Sequence, residues 1–332
     1  MVHYRKILVW LGILFLLTTS CQAQLLKSYV DYKLIQRYEI KKFEGTLLMS
    51  NSPEDVRKPG ILYRGNICGK GRLLYHHVNV SNQQNLRLVI EIVNEEEFPQ
   101  LVRVIKPTTE GPSYQFLKTG QTILKNYFES TRDEFYYLEP KEKWSLYDSE
   151  EKIWKVGTLL SGMMDIETTG QVAVTYKVIT ENSQYEKKLI PLIRDLAPRG
   201  SFGILARTYH IEIPKTPGYY YYLLGTTKEW EKGIDELTGE NVLNQGNYGI
   251  MEHIQILAQA DTIAILCPRG GVFRGIVRWQ DGQICLVERR HSFKREKECI
   301  EIGKFKKGEI RQLDYMLPNG SAAPVLLGFW VK

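Results

Sequence analysis

Several signatures of catalysis are missing from this chain of 332 residues. No histidines are spaced H-x-H and no cysteines C-x-x-C, which removes the usual local frames for copper and zinc. The stretch RGSFG, residues 199–203, leaves no residue between glycine and serine, so it is not the G-x-S-x-G of a nucleophile elbow. CPRGG, residues 267–271, has the glycines of a phosphate loop but not its G-K-[ST] ending. Asp235, Glu236 and Glu252 are conceivable members of a carboxyl pair, yet no spacing holds two of them within the 5–9.5 Å or so that glycosidase chemistry needs. Together these gaps weigh against an enzyme.

Long apolar runs are also scarce. The only extended one lies at the N-terminus, where Arg5 and Lys6 precede an apolar stretch from Ile7 to Leu17 and small residues follow. This is the three-part layout of a secretory leader over residues 1–23, and it falls short of the roughly 20 residues of a bilayer span. Two processing chemistries compete. Thr18-Thr19-Ser20-Cys21 resembles a bacterial lipobox, which would make Cys21 the acylated first residue of a membrane-tethered protein. Thr18 stands where that motif usually carries leucine. Cleavage after Ala23 would instead discard Cys21 with the leader. The lipid anchor is the expected outcome, and an exported location removes nucleic acid as the working partner.

Cysteine is sparse thereafter. Cys68, Cys267, Cys285 and Cys299 permit two disulfides in three pairings, while buried free thiols are equally compatible with their apolar surroundings. Histidine is sparse too: beyond the leader there are His76, His77, His210, His253 and His291. His76 and His77 are consecutive in a strand-like run, so they point to opposite faces and cannot readily chelate one ion.

What the chain does have is tyrosine, 20 of them, and many short β-type runs. In LRLVIEIV, Leu86, Leu88, Ile90 and Ile92 fall on one side while Arg87 and Glu91 fall on the other, the period-two pattern of a half-buried strand. GRLLYHHVNV, QVAVTYKVIT, GYYYYLLG, MEHIQILAQ, DTIAILCP, FRGIVRWQ and PVLLGFWV read likewise. WQDGQ places an Asp281-Gly282 hairpin turn between two such runs. One segment differs. Residues 113–130 space Phe116, Ile123 and Tyr127 for a helix, with Ser113 as the expected N-cap and Gly120 as a liability of about 1 kcal/mol. Pro and Gly accumulate near residues 193–203. The expectation is all-β: two antiparallel, jelly-roll-like β-sandwiches, over residues 26–195 (with the helix) and 196–332.

Turn motifs carry one resemblance. SPEDVRKPGILYRG, GRLLYHHVN, GIDELTGENVLNQGNYGI and PRGG resemble exported bacterial proteins described as copper amine oxidase-like or stalk-domain-associated. The resemblance implies a secreted or surface-attached β-rich protein without a defined activity. It does not bring oxidase chemistry. In TILKNYFE, Asn126-Tyr127 matches part of the T-x-x-N-Y-[DE] motif, but Thr122 is one place too far upstream and Phe128 replaces the acid.

Three surface candidates remain. Tyr219 and Tyr221 share one strand face and, with Trp230, could stack on sugar rings. Asp235, Glu240, Asn244 and Asn247 lie in a turn-rich stretch with oxygen ligands suited to calcium; apart from that ion no cofactor is expected. Residues 288–298, ERRHSFKREKE, form a mixed-charge cluster with a basic surplus that could meet an anionic envelope polymer. The functional expectation is an exported, envelope-associated, non-catalytic protein with an interaction or structural role, the alternative being a carbohydrate-binding or carbohydrate-active one.

Overall fold

The computed structural model describes residues 32–82, 86–150, 152–180, 189–292 and 298–332. The leader and Cys21 lie outside them, as does the middle of the 288–298 cluster. Ten strands and a helix precede residue 214: β1 (Tyr32–Leu34), β2 (Arg37–Ser50), β3 (Asp55–Val56), β4 (Gly60–Asn79), β5 (Leu86–Asn94), β6 (Gln100–Ser113), α1 (Phe116–Glu129), β7 (Asp133–Leu138), β8 (Lys143–Asp148), β9 (Leu159–Thr180) and β10 (Arg199–Ile213). Then follow β11 (Gly218–Leu224), β12 (Glu231–Asp235), β13 (Glu240–Asn244), β14 (Met251–Ala258), β15 (Thr262–Pro268), β16 (Val272–Trp279), β17 (Ile284–His291), β18 (Ile300–Phe305), β19 (Ile310–Tyr315) and β20 (Val325–Val331). The protein is an all-β sandwich fold, with one α-helix among the described residues.

Alternation in the sequence set the buried faces. Leu86, Leu88, Ile90 and Ile92 are all buried, while Arg87 forks onto Asp148 and Glu91 takes Lys177. Strand β9 is the longest, at 22 residues. One edge of it pairs with β4, and the other is divided between β6 near its start and β5 near its end. The two branches fold over a core that includes Leu73, Leu88, Ile90, Val102, Val104, Trp154 and Val174. In the second half a five-stranded sheet, ordered β1-β11-β20-β15-β18, packs on β10, β14, β16 and β19. Tyr220, Tyr222, Leu327 and Phe329 meet Ile211, Ile254, Val277 and Leu313 between those layers.

Two details depart from expectation. Pairing is antiparallel except at β1–β11, β2–β4, β3–β4 and β10–β14, which are parallel; alternation specifies which face is buried, but it is blind to strand direction. The larger sheet also runs unbroken through the boundary expected at residues 195–196. Strand β2 lies between β4 and β10 and pairs with both, so a strand from the first segment is hydrogen-bonded to one from the second.

Helix α1 packs against β6, β9 and β16 and buries Ile123, Leu124, Tyr127 and Phe128. Its N-cap is Gln115, without a side-chain cap bond. Ser113 therefore misses its expected role: its hydroxyl accepts the Gln115 N–H at 3.0 Å, a turn bond formed before the first helical residue. Gly120 is there for contact. A Cβ at that position would stand 2.1 Å from the Asn319 carbonyl oxygen, so only glycine lets the helix approach this loop.

Candidate functional site

A charged cluster gathers where the C-terminal turn of α1 meets the large sheet. Register builds half of it. Strand pairing sets Arg72 of β4 opposite Asp165 of β9, and Asp165 opposite Ile105 of β6, the residue before Lys106. Arg72 donates through Nε to Asp165 Oδ1 at 2.6 Å and through Nη2 to Oδ2 at 3.1 Å. Its Nη1 reaches the Leu205 and Gly249 carbonyls at 3.0 and 2.7 Å. Tyr127 completes this half: its hydroxyl donates to Asp165 Oδ2 at 2.6 Å and accepts from Arg72 Nη2 at 2.8 Å. Burial, offset only in part by Arg72, pushes the Tyr127 phenol up, so it stays a neutral donor.

The other half comes from β14, β16 and β19. Their registers set Asp314 opposite both His253 and Arg278. Arg278 forks onto Asp314 Oδ2 through Nε at 3.1 Å and Nη2 at 2.6 Å, while Nη1 donates to the Phe128 carbonyl at 3.3 Å. Asp314 Oδ1 accepts from Gln312 at 2.9 Å and lies 2.7 Å from His253 Nδ1. Burial opposes ionisation of Asp314, but the bonds from His253 and Arg278 hold its carboxyl down at about 2. Phe43 packs edge-on against the His253 ring, at 6.0 Å between centroids.

Lys106 stands between the two halves. Its backbone has a φ of 52°, the left-handed region that a lysine rarely adopts, at a register shift between Ile105 and Thr108. Its ammonium lies 5.2 Å from the Tyr127 ring centroid and makes no hydrogen bond or ion pair with the described residues. Burial lowers its pKa, and the neighbouring Arg278 and Arg72 charges lower it further. Each aspartate is matched by a forked arginine, and the lysine is the charge left over.

None of these residues was among the candidate site residues of the sequence; Tyr127 entered only through helix spacing and the oxidase motif, and His253 only among the histidines. Arg72, Asp165 and Arg278 interrupt strongly apolar strands, a signal that buried charges pair, but the pairing itself is set across strands far apart in sequence.

The expected sites fare differently. Tyr219 and Tyr221 do share the outer face of β11, while Tyr220 and Tyr222 enter the core. The rings near Tyr219 are Tyr32, at 5.2 Å, and Trp330, at 6.0 Å with the planes 19° apart. Trp230 is not part of this group: it follows the far end of β11 and donates to the Gly225 carbonyl at 3.3 Å. The sequence pattern of PVLLGFWV could have exposed Trp330, since it alternates with the buried Phe329 and Val331.

The four calcium candidates do not converge. Asp235 and Glu240 pair at the turn of the β12–β13 hairpin, whereas Asn244 pairs with Glu231 at its other end. Four residues of strand separate Glu240 from Asn244, about 14 Å, whereas calcium holds its ligands at about 2.3–2.6 Å. Each also has another task. Asp235 is fully buried against Arg199, and Glu240 accepts from Arg194. Asn244 brackets Tyr248, and Asn247 ties Glu231 to Glu229.

His76 and His77 take separate partners, as alternation requires. His76 Nδ1 faces Ser161 Oγ at 3.2 Å; His77 faces Ser50 Oγ at 2.9 Å and the Pro53 carbonyl at 2.8 Å. Of the three disulfide pairings open in the sequence, one bond is present, Cys267–Cys299; Cys68 and Cys285 are free thiols.

No family model matches this chain, and no curated protein matches it. Among solved structures, Lac15 from a marine microbial metagenome is similar at 10% identity with a TM-score of 0.18, over 88% of this chain and 64% of that one. The chain thus spans less than two thirds of that protein's length, and a likeness of this degree carries no argument about fold or function.

Proposed function

We propose that this chain is exported and works at the cell envelope, held by a lipid on Cys21, by binding or supporting envelope material rather than by catalysis. The observation that carries export is the Cys267–Cys299 disulfide, which joins β15 to the residue just before β18. Such bonds persist in oxidising compartments and are rare where glutathione keeps thiols reduced. The leader and its Thr-Thr-Ser-Cys ending support the anchor, since two or more acyl chains hold a protein where one holds it only marginally. Metabolic labelling with a fatty-acid analogue in the native host tests the anchor: label is expected on the wild type and lost in Cys21→Ser. Label retained by that variant, or none on the wild type, removes the anchor. Alkylation before and after reduction tests export, with Cys267 and Cys299 expected to react only after reduction.

A second reading, carbohydrate binding, is favoured by one observation. Tyr219 and Trp330 present nearly parallel rings on neighbouring strands β11 and β20, with Tyr221 on the same face. Rings so arranged suit stacking against sugar faces. Glycan-array binding by the leaderless protein is expected to fall in Tyr219→Ala and Trp330→Ala, while Trp230→Ala leaves it unchanged. Absence of binding by the wild type would eliminate this reading.

A further inference from the structure

We propose that the charged cluster where α1 meets the large sheet binds a small oxyanion, carboxylate or phosphate, on Lys106 and Arg278. Charge bookkeeping is the first argument. Three fixed cations, Arg72, Arg278 and Lys106, face two carboxylates, Asp165 and Asp314, so the cluster carries one excess positive charge. Both carboxylates already have partners of their own. Asp165 accepts from Arg72 and Tyr127, and Asp314 from His253, Gln312 and Arg278. A half-buried ammonium beside two guanidinium groups is costly unless something negative accompanies it.

Backbone conformation is the second argument. Lys106 holds a left-handed φ of 52° at a break in the β6–β9 ladder, where Asn or Gly would sit with less strain. Strain of this kind persists where surrounding structure enforces it and concentrates at functional positions. Its N–H donates to the Arg132 carbonyl at 2.9 Å, which helps hold this irregular stretch of β6.

Access is the third. Arg278 keeps 27% of its side-chain surface exposed and Asp165 24%, so the cluster is partly open to solvent. Arg278 spends Nε and one N–H from each terminal nitrogen on Asp314 and Phe128, which leaves N–H groups free to join the lysine's three on one ligand. The inference is independent of how the protein is anchored.

Thermal melting in sodium phosphate and in sodium acetate, at ionic strength held constant with sodium chloride, tests it. Phosphate raises melting temperatures non-specifically by exclusion from protein surfaces, so the reading is the difference between wild type and Lys106→Asn. Asn tolerates the left-handed backbone and lacks the charge. Wild type is expected to gain stability at about tenfold lower oxyanion concentration than Lys106→Asn, the worth of one charge-assisted contact, and Lys106→Arg to behave like wild type. The stronger of the two salts identifies the oxyanion. Identical responses of wild type and Lys106→Asn to both salts overturn the proposal. A second measurement uses the unaltered protein: acylation of Lys106, followed by mass spectrometry, should slow when the preferred anion is present. Unchanged acylation at Lys106 also overturns it.

Discussion

Two of the arginine–aspartate forks of the large sheet, Arg199–Asp235 and Arg278–Asp314, share a donor pattern and differ in access to water. Arg199 and Asp235 keep 1% and 0% of their side-chain surface, against 27% and 5% for Arg278 and Asp314. Around Arg199 the donors and acceptors meet partners from the protein itself. Its Nη1 donates to the Ser52, Leu62 and Leu192 carbonyls, while Ser52 bonds Asp195 and Ser50 bonds His77. Around Arg278 a lysine is left over and the surface is open. The lesson is that the same pair of side chains serves as a structural peg when its cluster is closed, and as part of a receptive surface when its cluster carries a surplus. Predictions that break or sharpen the contrast follow, the largest effect first.

Arg199→Met strands Asp235 as an uncompensated buried charge and removes three carbonyl partners. Loss of one member of such a pair costs about 3–5 kcal/mol, so the urea midpoint should fall sharply. A change below about 1 kcal/mol would mean that the closed cluster is not a peg.

Acid should attack the same closed region first. Burial holds His76 down at about 3 and His77 at about 4, with His76 further disfavoured by its neighbour His77. Glu54 faces His76 at 3.9 Å, and Asp195 and Arg199 act on His77. Both histidines stay neutral in the fold and take up protons on unfolding, so their contribution is present above about pH 6.5 and is lost as pH falls toward about 4. For two groups the slope is about 3 kcal/mol per pH unit. The open cluster responds later: the depressed Asp314 carboxyl supports the fold above about pH 4, and that support is lost toward about 2. Melting temperature against pH for wild type and His77→Gln separates the two, and a flat profile between pH 6 and 5 would contradict the closed region's role.

Tyr127→Phe removes one hydroxyl from the open cluster and leaves the Arg72–Asp165 fork intact. A hydrogen bond to a charged group is worth about 1.5–3 kcal/mol, so denaturant unfolding should show a loss in that range, smaller than for Arg199→Met. The smallest effect separates service from stability. Lys106→Asn relieves a left-handed lysine and a crowded cation, so without added oxyanion it should be more stable than wild type by up to about 1 kcal/mol. A loss of stability there would assign Lys106 a structural role.

Much of the architecture was legible in local pattern. The alternation of LRLVIEIV, the Asp281-Gly282 turn and the helix over 116–129 each follow from a period or a turn residue. Strands β7, β8, β12, β13, β18 and β19 were not legible, because they are short and bury too few residues to establish a period. The placement of Asp235, Glu240 and Asn244 along one hairpin was not legible either. Asn244 and Asn247 are turn-forming residues whose side chains are spent on the backbone around Tyr248 and Glu231.

The sequence by itself determined the all-β character, the inward faces of the long strands and the opposite placement of His76 and His77, since each depends only on neighbours along the chain. Tertiary structure alone decided which cysteines bond, which strands run parallel, and that Arg72, Lys106, Asp165, Arg278 and Asp314 share one cluster. Those residues are separated by up to two hundred and more positions, and only the register of paired strands, which no local period encodes, brings their charges within reach of one another.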